Sequence, residues 1–217
     1  MEDEQMTTLA IMKARIADEL ARSDLTSQIA YSISDAIEAY EDQRYFFNET
    51  RAITFSTVAS QEFYDENDVA AFANLQKIDY VTIYYGDQPY TLIAMKPDEM
   101  EWSSTNGTSI GQPSWYTYYN EQLRLYPIPN DVRTVRVAGS VKVAAPATDD
   151  EANNPWMTHA ARLIRSRAKL ELAMHVLYED ETAKTMSQAT DEASEQLDSR
   201  SAMLMRIGNN RIQPMEF

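Results

Sequence analysis

Asp149-Asp150-Glu151-Ala152-Asn153-Asn154-Pro155-Trp156 is the stretch on which the fold turns. Before it lies an aromatic, β-branched middle; after it, apolar residues recur at three- and four-residue steps. That junction ends the strand-like middle and opens the longest uninterrupted amphipathic helix in the chain. The predicted helix runs without interruption from Pro155 to about Tyr178, roughly 36 Å at 1.5 Å per residue. One face carries Trp156, Ala160, Leu163, Arg167, Leu170, Met174 and Leu177. The preceding acids favour the positive end of that helix. They lack the alternating ligands and glycine of an EF-hand loop, so they read as a solvated loop and not a calcium site.

Toward the C-terminus, a last helix over 182–207 places Ala183, Met186, Ala193, Leu197, Leu204 and Ile207 near one side, and Gly208-Asn209-Asn210 stops it. Residues 208–217 have no periodicity yet include Ile212, Met215 and Phe217. An apolar tail beyond a helix stop is either frayed or docked on something else.

Toward the N-terminus, Thr7 and Thr8 can cap a helix over about 7–21 with Leu9, Met12, Ile16 and Leu20 in a stripe. After Ser23-Asp24 a second helix, over 25–42, carries Leu25, Ile29, Ile33, Ile37 and Tyr40 on one face. The two are expected to form an antiparallel hairpin.

From Arg44 the period changes. Tyr45-Phe46-Phe47 and Ile53 to Val58 are β-type runs parted by a turn at Asn48-Glu49. Ile78 to Tyr85 is the next strand, and Gly86-Asp87 turns it into Tyr90 to Ala94. Pro97 to Trp102 reads as a short helix and Asn106 to Pro113 as a loop. A second hairpin joins Trp115–Tyr119 to Leu123–Tyr126 through Asn120-Glu121, and Pro127-Ile128-Pro129 ends it. Val135 to Val143 alternates apolar residues with Arg136, Ala138, Ser140 and Lys142, a strand with one dry and one wet face.

The fold class is therefore α+β: a bundle of four main helices drawn from both chain ends, residues 1–43 and 150–207. It carries an inserted, mostly antiparallel β domain over 44–149 and a C-terminal docking tail over 208–217. No repeat of 20 to 50 residues suggests a solenoid.

Composition narrows the function. With 44% apolar residues in 217, the chain can bury a core. It has no cysteine, which removes disulfides, thiolate metal sites and a cysteine nucleophile, and fits a reducing compartment. The acidic start, Met1-Glu2-Asp3-Glu4, is not that of a signal peptide, and no apolar run approaches a spanning helix, so a soluble protein with no membrane partner is expected. The net charge of −15 argues against gripping a phosphate backbone, though not against surrounding one.

No catalytic constellation emerges. His159 and His175 are more than four helical turns apart and read as ordinary core or surface residues. Carboxylates abound, but nothing pairs them. The five glycines form no phosphate loop. Asn106-Gly107-Thr108 matches a glycosylation sequon by chance. No metal, cofactor or catalytic residue is assigned, and the chain reads as a non-enzyme.

Two patterns point to contacts. Arg162, Arg165, Arg167 and Lys169 occupy a helix segment without an acid, whereas Glu179 to Asp198, with Asp191, Glu192 and Glu195, holds seven acids against Lys184. Such segregation pairs neighbouring helices within a chain or neighbouring subunits in a ring. Arg167, inside the apolar stripe, is expected to reach a carboxylate, with Asp35 or Glu38 as candidates. The aromatic stretch Trp115 to Tyr126, with Arg124, is read first as sheet packing or a protein interface. The alternative is a binding module that holds a base, glycan or receptor there.

Several short segments, in order, carry a resemblance. They are the helix pair, Arg44-Tyr45-Phe46-Phe47-Asn48-Glu49, Phe63-Tyr64-Asp65, Ile78-Asp79-Tyr80-Val81, and Leu123-Arg124-Leu125-Tyr126-Pro127-Ile128-Pro129. Asp149-Asp150, Asn154-Pro155-Trp156 and the run Ala160 to Lys169 complete them. In this order they resemble the head-to-tail adaptor (connector) proteins of short-tailed bacteriophages, the tail-tubular-A-like family, over nearly the whole chain. The resemblance implies a structural protein of the virion neck, made in the host cytoplasm. It also implies a ring, usually dodecameric, between the portal and the tail nozzle or fibre proteins. DNA would pass through its channel without sequence-specific binding. It further implies that the C-terminal segment reaches the portal, which singles out Arg211, Ile212, Met215 and Phe217 for docking.

Overall fold

The computed structural model describes residues 8–104 and 109–207. The sequon at Asn106 and the tail over 208–217 lie outside the described residues. The chain is mixed α+β, with helices and antiparallel sheets. By contacts it divides into two compact units: residues up to Phe47 together with those from Val143 onward, and Asn48–Lys142.

In the first unit, helix α1 (Leu9–Glu19) starts where the Thr8 hydroxyl accepts from the Ile11 N–H at 3.3 Å. It buries Met12 and Ile16. Ala21, in a left-handed conformation, turns the chain toward α2 (Thr26–Glu38), whose Ile29, Ile33, Ala36 and Ile37 are buried. These residues share one core with Trp156, Leu163, Ile164, Ala168, Leu172, Ala193 and Leu197.

Tyr45-Phe46-Phe47, expected as a strand, is not one. Phe46–Asn48 forms a 3₁₀ turn and Tyr45 is fully buried in the helical core. Tyr45 meets Trp156 edge-on at 6.1 Å and stacks on Phe47 at 5.3 Å. Aromatic β-propensity reports a fit to a packed surface, and here helices supply that surface.

The helix expected to run unbroken from Pro155 is interrupted twice. A single turn, α4 (Pro155–Thr158), precedes α5 (Ala161–Leu172), and a π-helical turn over Ala173–Leu177 ends at the left-handed Tyr178. The first break has a local cause: the Thr158 hydroxyl donates to the carbonyls of Asn154 and Pro155, competing with the helix ladder. It lets Trp156, Met157 and Ala160 all bury. At the π turn Met174 swings off the core and is 49% exposed, while Leu177, the last residue of the predicted stripe, still packs against it.

The longest helix is α6 (Asp180–Ile207), with Asp180 and Glu181 in its first turn. It buries Thr190, Ala193, Leu197 and Ser201. The predicted apolar side stops there, because Leu204 is exposed.

The second unit holds two four-stranded sheets, not one. The first, β1 (Glu49–Ser56), β10 (Thr134–Val141), β3 (Leu75–Tyr85) and β4 (Gln88–Thr91) in that order, is antiparallel throughout. The second orders β2 (Phe63–Tyr64), β8 (Gln122–Tyr126), β7 (Trp115–Tyr119) and β5 (Ile93–Ala94), with β5 parallel to β7. Ile53, Val81, Ile83, Val135 and Val137 of one share a core with Tyr64, Tyr116, Leu123 and Leu125 of the other. The run Tyr90 to Ala94, expected as one strand, changes sheets: Leu92 donates to Val81 and Ile93 to Ser114. Outside these sheets, β6 (Ile110–Gly111) pairs in parallel with β9 (Ile128–Pro129), and α3 (Pro97–Ser104) follows β5.

The predicted wet face of β10 is partly dry. Ala138 and Ser140 are buried, because β10 is an interior strand and its register against β3 slips at Ala138/Gly139 and again at Ser140/Val141. The turn at Asn120-Glu121 forms as expected, with both residues at positive φ as a two-residue hairpin loop requires.

Candidate functional site

The Asp149 to Trp156 stretch acts as a clasp within the first unit. Lys13 Nζ lies 2.6 Å from Asp149 Oδ1, and the Ala10 N–H donates to the Asp149 carbonyl at 2.9 Å. Glu151 accepts from the Ala147 N–H, which, with the Asn154 amide, holds its carboxyl below the usual range. Asn154 caps α4 by accepting from the Trp156 N–H at 3.1 Å and donates to the Ala144 carbonyl at 3.2 Å. Asp149 thus ties the returning chain to α1, while Glu151 braces the loop around Asn154.

The basic residues of α5 have partners within the chain. Lys169 donates to Glu19 at 2.7 Å and Arg165 lies 3.6 Å from the same carboxylate, so two of the four meet α1 and not the acids of α6. Arg162 does reach α6, donating to Gln196 at 2.7 Å and to Glu192 at 3.5 Å. Arg167 pairs with Glu171 one turn along its own helix, whereas Asp35 and Glu38 lie on the exposed side of α2. Asp191 and Glu195 are exposed on α6.

In the second unit the aromatic stretch splits by strand parity. Tyr116 and Tyr118 pack with the core, while Tyr119 at the hairpin tip is 70% exposed. On the other face Phe63, Arg124 and Thr117 stand in one cross-strand row. The Arg124 side chain, 8% exposed, donates through Nε to Glu62 and through a terminal nitrogen to Glu101 of α3 at 2.6 Å, and its guanidinium lies 5.3 Å from the Phe63 ring centre. Beside it opens a concavity of about 220 Å³, lined by Phe63, Pro97, Glu101, Thr117, Tyr119, Asn120, Gln122 and Arg124. The sequence showed Arg124 only as an isolated cation. Its burial depends on Glu62 and Glu101, each on a different element, so no local spacing announces the site.

Among the described residues no group of three or more His, Asp or Glu is placed to hold a metal ion, and no helix is long and apolar enough to cross a membrane. What the two units present is contact chemistry: ion-paired helix faces, an acidic helix and an aromatic-rimmed pocket.

The family model of the SU10 adaptor protein matches residues 7–213, and the chain belongs to that family, a structural phage head-to-tail adaptor family and not a known enzyme family. No curated protein matches the chain.

Proposed function

We infer that this phage adaptor works in the virion neck as a ring of copies, twelve by family resemblance, between the portal and the tail nozzle, with DNA passing through its channel. The match across 7–213, which takes in both compact units, carries this reading. Helices from both chain ends, in the unit up to Phe47 and from Val143 onward, serve as a four-helix frame, and Asn48–Lys142 serves as the inserted β domain. The net charge of −15 suits a channel through which DNA slides without being held. Asp191 and Glu195, exposed on α6, are the acids offered to a neighbouring subunit, since Arg165 and Lys169 are engaged with Glu19 in their own chain.

The C-terminal residues 208–217, with Arg211, Ile212, Met215 and Phe217, dock on the portal. Deleting Arg211 to Phe217 is expected to abolish capture of the protein by immobilised portal while leaving the circular dichroism spectrum unchanged. Undiminished capture by the truncated protein refutes the docking role.

A further inference from the structure

We propose that the concavity beside Arg124 receives an arginine side chain carried by a neighbouring virion protein, making the β unit a second docking point of the adaptor. This goes beyond the ring and the portal contact and depends on neither, because every residue it uses lies within Asn48–Lys142.

The argument begins with charge. Arg124 is nearly sealed from water and has two carboxylates against it, Glu62 at 21% side-chain exposure and Glu101 at 71%. Glu62 pairs with Arg124 from outside the pocket lining, so two carboxylates meet one guanidinium and leave one negative charge in excess. Glu101 lines the pocket and faces solvent, so the negative charge at the mouth is the one an incoming group meets. An incoming carboxylate or phosphate would have to displace Glu101 from a charge-assisted hydrogen bond while remaining close to both acids. An incoming cation shares Glu101 with Arg124 and is drawn by the excess negative charge of the two acids.

The walls select among cations. Tyr119 presents an exposed ring at the rim, and Thr117, Asn120 and Gln122 add oxygen acceptors around the same space. A planar guanidinium with five donors can lie over the tyrosine ring while bonding to Glu101 and to those oxygens; a lysine ammonium is a compact point charge that cannot do both as well. Arginine is also among the residues enriched in protein interfaces. The −15 charge of the chain steers a basic partner segment inward. The pocket holds a single side chain with its flanking backbone, not a folded surface.

The experiment follows backbone amide shifts of the isotope-labelled full chain during titration with three blocked tripeptides, Gly-Arg-Gly, Gly-Lys-Gly and Gly-Glu-Gly. The arginine peptide is expected to shift Thr117, Tyr119, Gln122 and Arg124 in a saturable manner, with the lysine peptide several-fold weaker and the glutamate peptide silent. Tyr119→Ser, at an exposed position that leaves folding intact, should weaken arginine binding by about three- to fivefold, and Tyr119→Phe should preserve it. Glu101→Gln should weaken it by about tenfold. Glu181→Gln, an exposed change on α6, should leave it unaltered. Tighter binding of the glutamate peptide, equal binding of lysine and arginine, or no localised shift would each overturn the assignment. So would a Tyr119→Ser protein that self-associates less by sedimentation, because the occupant would then be another copy of this chain.

Discussion

Lys169 Nζ lies 2.7 Å from Glu19 Oε2, closing a contact across 150 positions of sequence. Arg165 approaches the other oxygen of the same carboxylate. One acid on α1 therefore serves two cations on α5. The site is partly exposed, so each pair contributes modestly and is screened by salt. A double-mutant cycle between Glu19→Gln and Lys169→Met is expected to give a coupling of about 0.5 kcal/mol in dilute buffer, shrinking in 1 M salt. A coupling near zero in both buffers would show that the pair is incidental.

Trp156 joins three parts of its unit, packing against Tyr45 and Phe47 and donating from Nε1 to the Val143 carbonyl at 2.9 Å. Trp156→Ala should cost about 3–5 kcal/mol in urea denaturation, the range for emptying a fully buried aromatic site. Trp156→Phe keeps most of the ring contacts but leaves the Val143 carbonyl without that donor, and should cost about 1–3 kcal/mol. Equal losses for the two variants would show that the hydrogen bond, and not the ring, dominates.

Gly139 and Gly86 are required for different reasons. A Cβ on Gly139 would stand 1.9 Å from the Lys77 carbonyl oxygen on the neighbouring strand, and backbone cannot yield as a side-chain tip can. Gly139→Ala should therefore cost about 3 kcal/mol or more. At Gly86 the space is open, but φ is +63°, so Gly86→Ala should cost only about 1 kcal/mol through backbone strain. Urea midpoints in the reverse order would contradict the close approach of β10 to β3.

Asp24 supplies a pH test. The hydrogen bond from Arg22, helped by the Asp24 backbone, holds its carboxyl at about 2. A carboxyl depressed in the folded state contributes stability that is fully present above the unfolded value, near 3.9, and is lost as pH falls from there through about 2. Arg22→Gln should move the Asp24 midpoint up toward the ordinary carboxylate range in a carbon-detected NMR titration. A midpoint that stays near 2 would assign the depression to the backbone alone.

Much of this fold was legible locally. The stripe Leu25, Ile29, Ile33 and Ile37 named the buried face of α2, and Thr8 announced the start of α1. Asn120-Glu121 announced the tight hairpin that aligns Trp115 with Tyr126. The misreadings have two causes, one remote in sequence and one local. Tyr45-Phe46-Phe47 has strand composition, yet its rings are claimed by Trp156 and His159, more than a hundred residues on. The helix after Pro155 shows an unbroken apolar period, but the Thr158 hydroxyl and the burial of Met157 beside Trp156 interrupt it.

Charge and aromatic character were visible in the sequence, but their use was not. Side-chain period and turn residues act over a few positions, so the sequence alone located the main helices and the hairpin turns, and its ordered segments pointed to the adaptor family. The tertiary structure alone decided that Glu19 takes two of the α5 cations, that the middle splits into two sheets around one core, and that Arg124 is buried between Glu62 and Glu101. Those outcomes depend on which remote surfaces exclude water together, and no local periodicity records that.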